Sequence, residues 1–364
     1  MTALPVIHQW AAGAGTGDAI SGYVLALQEI IRSWGAESDF FVDYRHVSFD
    51  MRRHCRDLRS FPDDLPPGSL VLYHFSIGSE ATARFLSLPP GIVRVVTYHN
   101  ITPARYFRSL LPETAKVLAE GREQLRLLAP KVDLALGDSS YNRAELEEAG
   151  CRRTALVPLI RNDPDPGLEP DPLVLSHYGD GAVNWLTVGR VAPNKKVEDV
   201  IRAFYYYRRT VQPHARLFIV GSGMPHYLSA LQALTVQLDL PGVIFAGHVS
   251  AAELVAYYRL ADVLLCMSEH EGFCLPLLEA MSFEVPVLAY AAAAVPETVG
   301  DGGIVFARKD YRAVAELAHL AAGPGEVRQK LIAAGRRHLE KFSAARVEKS
   351  LQAALAPFLK PEKT

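Results

Sequence analysis

The 364-residue chain contains no unbroken apolar run of about 20 residues, and its mean hydropathy is only +0.07, which excludes a membrane-spanning helix. It lacks an excess of either charge, with 38 Lys plus Arg against 40 Asp plus Glu and a formal net charge of -2. No global basic field exists to hold nucleic acid, so no nucleic-acid partner is expected. Cysteine is scarce: Cys55, Cys151, Cys266 and Cys274 are scattered and form no CxxC pair. They read as reduced, mostly buried thiols rather than a disulfide or zinc framework. The opening Met1-Thr-Ala-Leu-Pro-Val-Ile-His8 has no basic region, apolar stretch or small-residue cleavage site. No signal peptide is expected there, and the expected location is cytoplasmic. Neither an internal repeat nor a low-complexity tract is present.

What is present is ordinary globular material, 49% hydrophobic and 21% charged. Single cores stop growing near roughly 250–300 residues, so the length implies two domains. Short apolar runs alternate with helical patterns. Leu70-Val-Leu-Tyr-His74, Val93–His99, Val132–Gly137, Trp185–Gly189, Arg216–Gly221, Val243–Gly247, Val263–Cys266 and Val285–Ala289 read as strands buried on both faces. Segments such as Val197–Gln212 and Leu228–Leu238 carry apolar residues at helical spacing, so the order implies parallel α/β sheets. The run Arg161–Pro172 holds four prolines and a glycine and continues neither helix nor central strand. It is read as a linker between domains 1–172 and 173–341, with a helical segment 342–364 expected to dock back on the first. Ligands of open α/β sheets bind at the carboxyl ends of strands. Two such sheets facing each other would enclose a cleft.

Several strand-to-helix turns of the second half end in glycine: Gly189-Arg190-x4-Lys195, Val220-Gly221-Ser222-Gly223 and Gly247-His248-Val249. Arg190 and Lys195 can pair with phosphate oxygens, or be two solvated cations. The fourth turn is Glu271-Gly-Phe273-Cys274-Leu275-Pro276-Leu-Leu-Glu279-Ala-Met281. Pro276 suits a first helical turn, and the amides of Phe273, Cys274 and Leu275 would form an anion site at the helix start. Glu271 could accept from hydroxyls and Glu279 from a vicinal diol. Equally, Glu271 could cap the helix and Glu279 be solvated. In isolation the residues do not separate these readings.

Taken together with Val295-Pro-Glu-Thr-Val-Gly-Asp-Gly-Gly303, the pieces resemble the Glu-x7-Glu pattern of retaining glycosyltransferases of family 4, glycosyl transferases group 1, over most of residues 185–303. The resemblance implies the GT-B fold, two doubly wound Rossmann-like α/β domains facing across a cleft. It implies that Arg190 and Lys195 hold the diphosphate of a nucleotide-sugar, that Glu279 binds the ribose and that the backbone at 248–249, Val249 included, lies near the base. Glu271, with the amides of Phe273, Cys274 and Leu275, would hold the transferred sugar as a catalytic residue. In the first half, the loop Gly13-Ala-Gly15-Thr-Gly17-Asp18 matches the family's glycine-rich loop, with Gly15 and Gly17 near the donor phosphate. His99 matches a catalytic position that reaches the reacting sugar, and Asp18 and Asn100 are expected on the acceptor side. The chain departs from the family in three ways: its first-loop glycines alternate, Cys274 stands where glycine is common, and Lys196 replaces a usual glycine.

The expected activity is transfer of a hexose from a UDP- or GDP-sugar to an acceptor hydroxyl with retention, in polysaccharide or glycoconjugate synthesis. No cofactor and no metal are expected, because Arg190, Lys195 and the helix amides supply the electrostatic stabilisation. The acceptor is expected to be a saccharide or a lipid-linked saccharide. A local basic excess, Arg45, His46, Arg52, Arg53, His54, Arg56 and Arg59, is either a solvated face or a contact for an anionic acceptor or the cytoplasmic membrane face. Rival readings are a sugar-nucleotide epimerase, a glycoside phosphorylase, and a subunit that binds nucleotide-sugar without turnover. A nicotinamide oxidoreductase is disfavoured, since no Gly-x-Gly-x-x-Gly follows the first strand with an acid roughly 20 residues on.

Overall fold

The computed structural model describes residues 5–161 and 167–359. Residues 162–166 of the expected linker, the start of the N-terminal segment and Pro361 lie outside the described residues. The chain divides into two compact units, Met1–Asn162 with Phe342–Thr364, and Asp163–Lys341.

The first unit is built on β1 (Ile7–Ala11), β2 (Phe40–Val42), β3 (Arg56–Asp57), β4 (Leu70–Phe75), β5 (Val93–Tyr98), β6 (Leu134–Gly137) and β7 (Thr154–Leu156). They form one parallel sheet in the order β3-β2-β1-β4-β5-β6-β7. β1 and β4 are buried at every position, as strands covered on both faces should be. The helix Ala344–Leu355 belongs to this unit. Val347, Leu351 and Leu355 are buried, Trp34 Nε1 donates to Glu348 Oε1 at 2.8 Å, and the Arg153 guanidinium lies over the Phe358 ring. In the basic segment, Arg45 pairs with Asp43 and Glu80 and Arg56 with Asp39, so part of its charge is neutralised locally.

The second unit carries β8 (Asn184–Val188), β9 (Arg216–Val220), β10 (Val243–Gly247), β11 (Val263–Cys266), β12 (Val287–Tyr290) and β13 (Ile304–Phe306). The sheet is again parallel, in the order β10-β9-β8-β11-β12-β13. Its core gathers Trp185, Phe204, Tyr207, Leu217 and Leu265 with Val200 and Ile201 of the amphipathic helix Val197–Thr210. The expected boundary at 172/173 shifts here to 162/163. Asp171 Oδ1 caps the helix Pro172–Tyr178 through the amides of Leu173 and Val174, and the Asp171 amide donates to Ala252 O at 3.0 Å. Pro172 therefore starts a helix of the second unit, because a first-turn proline has no intrahelical bond to lose.

The strand ends of the second sheet meet so closely that one glycine is obligatory. A Cβ on Gly221, which sits at φ +137, would stand 2.0 Å from the Gly189 carbonyl oxygen. At Gly247, with φ +69, a Cβ would meet nothing within 4 Å. Gly221→Ala is expected to destabilise the unit by at least about 3 kcal/mol, and Gly247→Ala by about 1–2 kcal/mol from backbone strain alone. Equilibrium urea unfolding of the two variants measures both, and equal losses would refute the steric account.

Candidate active site

All strands of the second sheet run the same way, so the loops after them share one edge. From β8 the chain passes to β9 and β10 on one side, then to β11, β12 and β13 on the other. The crevice between β8 and β11 is thus the topological switch point, where open α/β sheets bind ligands. The loop after β8 carries Arg190 and Lys195, and the loop after β11 carries Glu271.

These loops meet in an ion pair. Lys195 Nζ lies 2.6 Å from Glu271 Oε1, with the two side chains 21% and 8% exposed. Burial pulls the Lys195 pKa down, but the charge and hydrogen bond of Glu271 outweigh it and hold the ammonium above its usual range. Arg190 is exposed and makes no ion pair among the described residues. Arg190, Lys195, Glu271, Ser268, Cys266 and Cys274 line one small pocket that opens to solvent.

Neighbouring groups fix both loops. Asn194 Nδ2 donates to His270 O at 3.1 Å, while the Glu269 amide donates to Asn194 O at 2.8 Å. Lys309 Nζ bridges Asp199 at 2.7 Å and Glu269 at 3.0 Å. Lys196 occupies the left-handed region at φ +52, ψ +46, which explains why a glycine suits that position. Cys274, at φ +78, does the same immediately before the helix Leu275–Ser282, in which Pro276 fills the first turn. The Cys274 and Leu275 amides donate to no group among the described residues, whereas Phe273 is buried and its carbonyl accepts from Thr298 Oγ1. Glu279 is half-buried rather than solvated, and its Oε2 accepts from Tyr258 at 2.6 Å. Sequence reasoning missed Tyr258, whose helix carries no motif. Val249 follows β10 on the same edge, two strands from β8, and does not line the Lys195 pocket.

The first sheet has its own switch point, between β1 and β4. A buried polar chain crosses it from strand to strand. Gln9 Oε1 bonds His74 Nε2 at 2.9 Å, His74 Nδ1 bonds His99 Nε2 at 2.9 Å, and His99 Nδ1 bonds Asp138 Oδ2 at 2.8 Å. Gln9 Nε2 donates to Val24 O, so its Oε1 must accept from His74. Filling the three bonds takes three protons, which makes the chain neutral overall: either Asp138 is a carboxylic acid beside two neutral imidazoles, or a carboxylate faces a histidine pair sharing one positive charge. Burial raises the Asp138 pKa, an effect His99 moderates, and burial lowers that of His74 well below the usual range. The expectation that His99 presents its ring to a sugar meets a side chain only 2% exposed with both nitrogens engaged. Asp138 and His74 were not foreseen; an Asp directly after a strand glycine was the available signal.

The remaining first-unit candidates are also committed locally. Asp18 caps the helix Ala19–Ser33, its Oδ2 accepting from the Ser21 amide and hydroxyl, each at 2.8 Å. Ser21 Oγ in turn accepts from the Gly15 amide at 3.1 Å. Of the loop glycines, Gly17 at φ +73 needs glycine's freedom, while a Cβ on Gly15 would find ordinary contact at 3.8 Å. Asn100, buried at φ +71, donates to Asn142 Oδ1 and Glu145 Oε2.

Residues 181–338 match the family described as glycosyl transferases group 1. Those residues, most of the second unit, belong to that family. It is 32% identical over 199 residues to a GDP-mannose-dependent alpha-(1-6)-phosphatidylinositol monomannoside mannosyltransferase of Mycolicibacterium smegmatis, over 51% of each chain. For two further curated relatives the match spans 32% and 66% of their length. Among solved structures, sucrose-phosphate synthase from Thermosynechococcus elongatus superposes with a TM-score of 0.74 at 18% identity, covering 97% of this chain and 98% of that one. HepE of Anabaena, solved with UDP and glucose, gives 0.73 at 16%, covering 97% and 100%. The fold is therefore GT-B, with two parallel-sheet α/β domains. Among the described residues no helix is long and apolar enough to cross a membrane.

Within the buried chain His74 contributes a pH dependence of definite sign, opposed by Asp138, whose raised pKa adds stability as pH falls. His74 refuses in the folded state a proton that the unfolded chain accepts near pH 6.5, so its contribution is complete above 6.5 and is lost as pH falls below it. Relative to the His74→Gln variant, the wild-type urea midpoint is expected to fall between about pH 7 and pH 5. His8, whose pKa burial also lowers, acts alike in both proteins and cancels from the comparison. An unchanged slope in the variant would show that His74 titrates normally.

Proposed function

We propose that this chain transfers a hexosyl group from a GDP- or UDP-sugar to an acceptor hydroxyl with retention of configuration. The observation that carries the reading is the Lys195–Glu271 pair at the switch point of the second sheet, beside Arg190 and the helix that bears Glu279. The named activity of the mycobacterial relative and the UDP and glucose in HepE support this class of donor. The mycobacterial relative's name supports a lipid-linked saccharide as acceptor, bound by the first unit. The family match covers residues 181–338, so we propose donor chemistry with residues and acceptor chemistry only by class.

As the glycosidic C–O bond breaks, negative charge grows on the leaving diphosphate. Lys195 is held as an ammonium, and in the free protein Glu271 is its counter-ion. A bound diphosphate would share that ammonium, leaving a Glu271 oxygen to take a sugar hydroxyl. Arg190 and the Cys274 and Leu275 amides, at the positive end of a helix, would stabilise the same developing charge. Glu279, oriented by Tyr258, suits the ribose diol. His99 enters as a member of the buried Asp138–His74 chain, which fixes its ring and supplies a movable proton; Gly15, Gly17, Asp18 and Asn100 shape the loops beside it. With fixed cations doing this work the reaction needs no metal.

Arg190→Ala should lower transfer roughly ten- to hundredfold, the equivalent of about 1.5–3 kcal/mol for a charge-assisted contact, with an unchanged melting temperature because the side chain is exposed. Lys195→Ala should lose activity and stability together, since it strands Glu271 at 8% exposure. Glu271→Gln should act mainly on kcat, because its contact changes as the anomeric carbon becomes positive, and Glu279→Gln mainly on donor KM. Transfer assays over a panel of GDP- and UDP-sugars, with and without EDTA, measure all of these. Wild-type rates for both cation variants, or activity abolished by EDTA and restored by manganese, would overturn the assignment.

A further inference from the structure

Cys266 and Cys274 are read from sequence as unrelated thiols, yet the fold brings them together. The two Sγ atoms and a Glu271 carboxylate oxygen all lie within 4.8 Å of one another. Cys266 ends β11, and Cys274 holds its left-handed backbone at the start of the next helix, so the β11 loop folds one thiol back onto the other. All three side chains line the pocket that Lys195 and Arg190 share. We propose that Cys266, Glu271 and Cys274 form a site for a thiophilic divalent cation of the zinc class, and that the ion inhibits the protein by occupying the diphosphate corner of the pocket. The inhibitory half of this proposal rests on the donor site proposed above; the metal site does not.

Zinc takes thiolate ligands at about 2.3 Å and carboxylate oxygens at about 2.0–2.2 Å in a tetrahedron, which sets the ligand atoms roughly 3.4–3.8 Å apart. Three atoms already within 4.8 Å reach that spacing by small side-chain rotations. The charges also balance. Two thiolates and a carboxylate bring three negative charges, against two on the ion and one on Lys195, which can keep Glu271 Oε1 while the other oxygen turns to the metal. Ser268 Oγ lies 3.4 Å from Cys266 Sγ and can donate to it once it is a thiolate, orienting the ligand from outside the coordination sphere. The soft ligand pair selects zinc-like ions over magnesium or calcium, and the open pocket leaves the fourth position to water. Binding releases the thiol protons, so it should strengthen as pH rises.

The test uses the full chain, reduced and stripped with chelator, titrated with Co2+ and then Zn2+. One Co2+ per chain with a thiolate-to-cobalt charge-transfer band, displaced by Zn2+, is expected. Cys266→Ser and Cys274→Gly should each weaken Co2+ binding by at least roughly a hundredfold, more than the 10–100-fold that loss of an outer-shell partner costs. Circular dichroism checks that both variants fold; glycine suits the backbone at 274. No band in the wild type, or a band kept in both variants, overturns the site. So does a fall in free thiols under mild peroxide in a protein that binds no Co2+ when reduced, which would make the pair a disulfide switch instead. Saturating GDP or UDP should compete with Co2+, and a band indifferent to both nucleotides removes the inhibitory role while the metal site stands.

Discussion

The second unit is organised around one charged contact, the ammonium of Lys195 against the carboxylate of Glu271, contributed by loops 76 residues apart. An ion pair this buried is weak evidence of stability, because the cost of taking two charges out of water offsets much of their attraction. Its consequence is positional. Two adjacent strands end at a switch point, and the pair holds their loops at one separation and one charge. Around it lie supports that do not touch the pocket: Asn194 grips the backbone of residues 269–270, and Lys309 ties Asp199 to Glu269. A cation held by such a framework would need little reorganisation if, as we propose, a ligand's charge took the place of Glu271.

The first unit solves a similar problem without an exposed charge. Its switch point is crossed by Gln9, His74, His99 and Asp138, from β1, β4 and the ends of β5 and β6. Because three hydrogen bonds share three protons, the chain can be neutral throughout, and that lets it sit in an apolar core. One oxygen, Asp138 Oδ1, is buried without a partner among the described residues. An unpaired lone pair is cheaper on a carboxylic acid than on a carboxylate, so geometry and burial both favour the protonated form of Asp138.

The central strands and the family motif were legible because both are local. β4, β5, β8, β9 and β11 are mostly apolar, with at most two polar residues each, and Glu271 to Glu279 sits on one loop and the start of one helix. β1 escaped because His8 and Gln9 interrupt its hydrophobicity; both are buried, and each finds its partner on another element. β2, β3, β7 and β13 escaped because strands of two or three residues carry no period. Pairings between separate elements, such as Tyr258 with Glu279 on two helices or His74 with His99 at two strands, depend on strand order, which spacing does not encode. The same holds for Cys266 and Cys274: a separation of eight residues matches no ligand motif until a turn folds one back on the other.

The two departures from glycine in the second unit share a physical explanation. Lys196 and Cys274 both occupy the left-handed region, which costs a residue with a Cβ roughly 1–2 kcal/mol relative to an ordinary backbone. Such strain persists where the side chain gains something that glycine lacks. Lys196 reaches Glu198 and Glu269 at 3.6 and 3.7 Å, adding charge to the framework behind the Lys195 loop. Half-buried pairs of that length, still open to solvent on one side, contribute about 1 kcal/mol, so the return roughly matches the strain. For Cys274 no ion pair offsets the cost, and its thiol instead faces Cys266 and Glu271. A strained backbone whose only evident return is the meeting of two thiols and a carboxylate is better accounted for by a ligand for those three atoms than by stability.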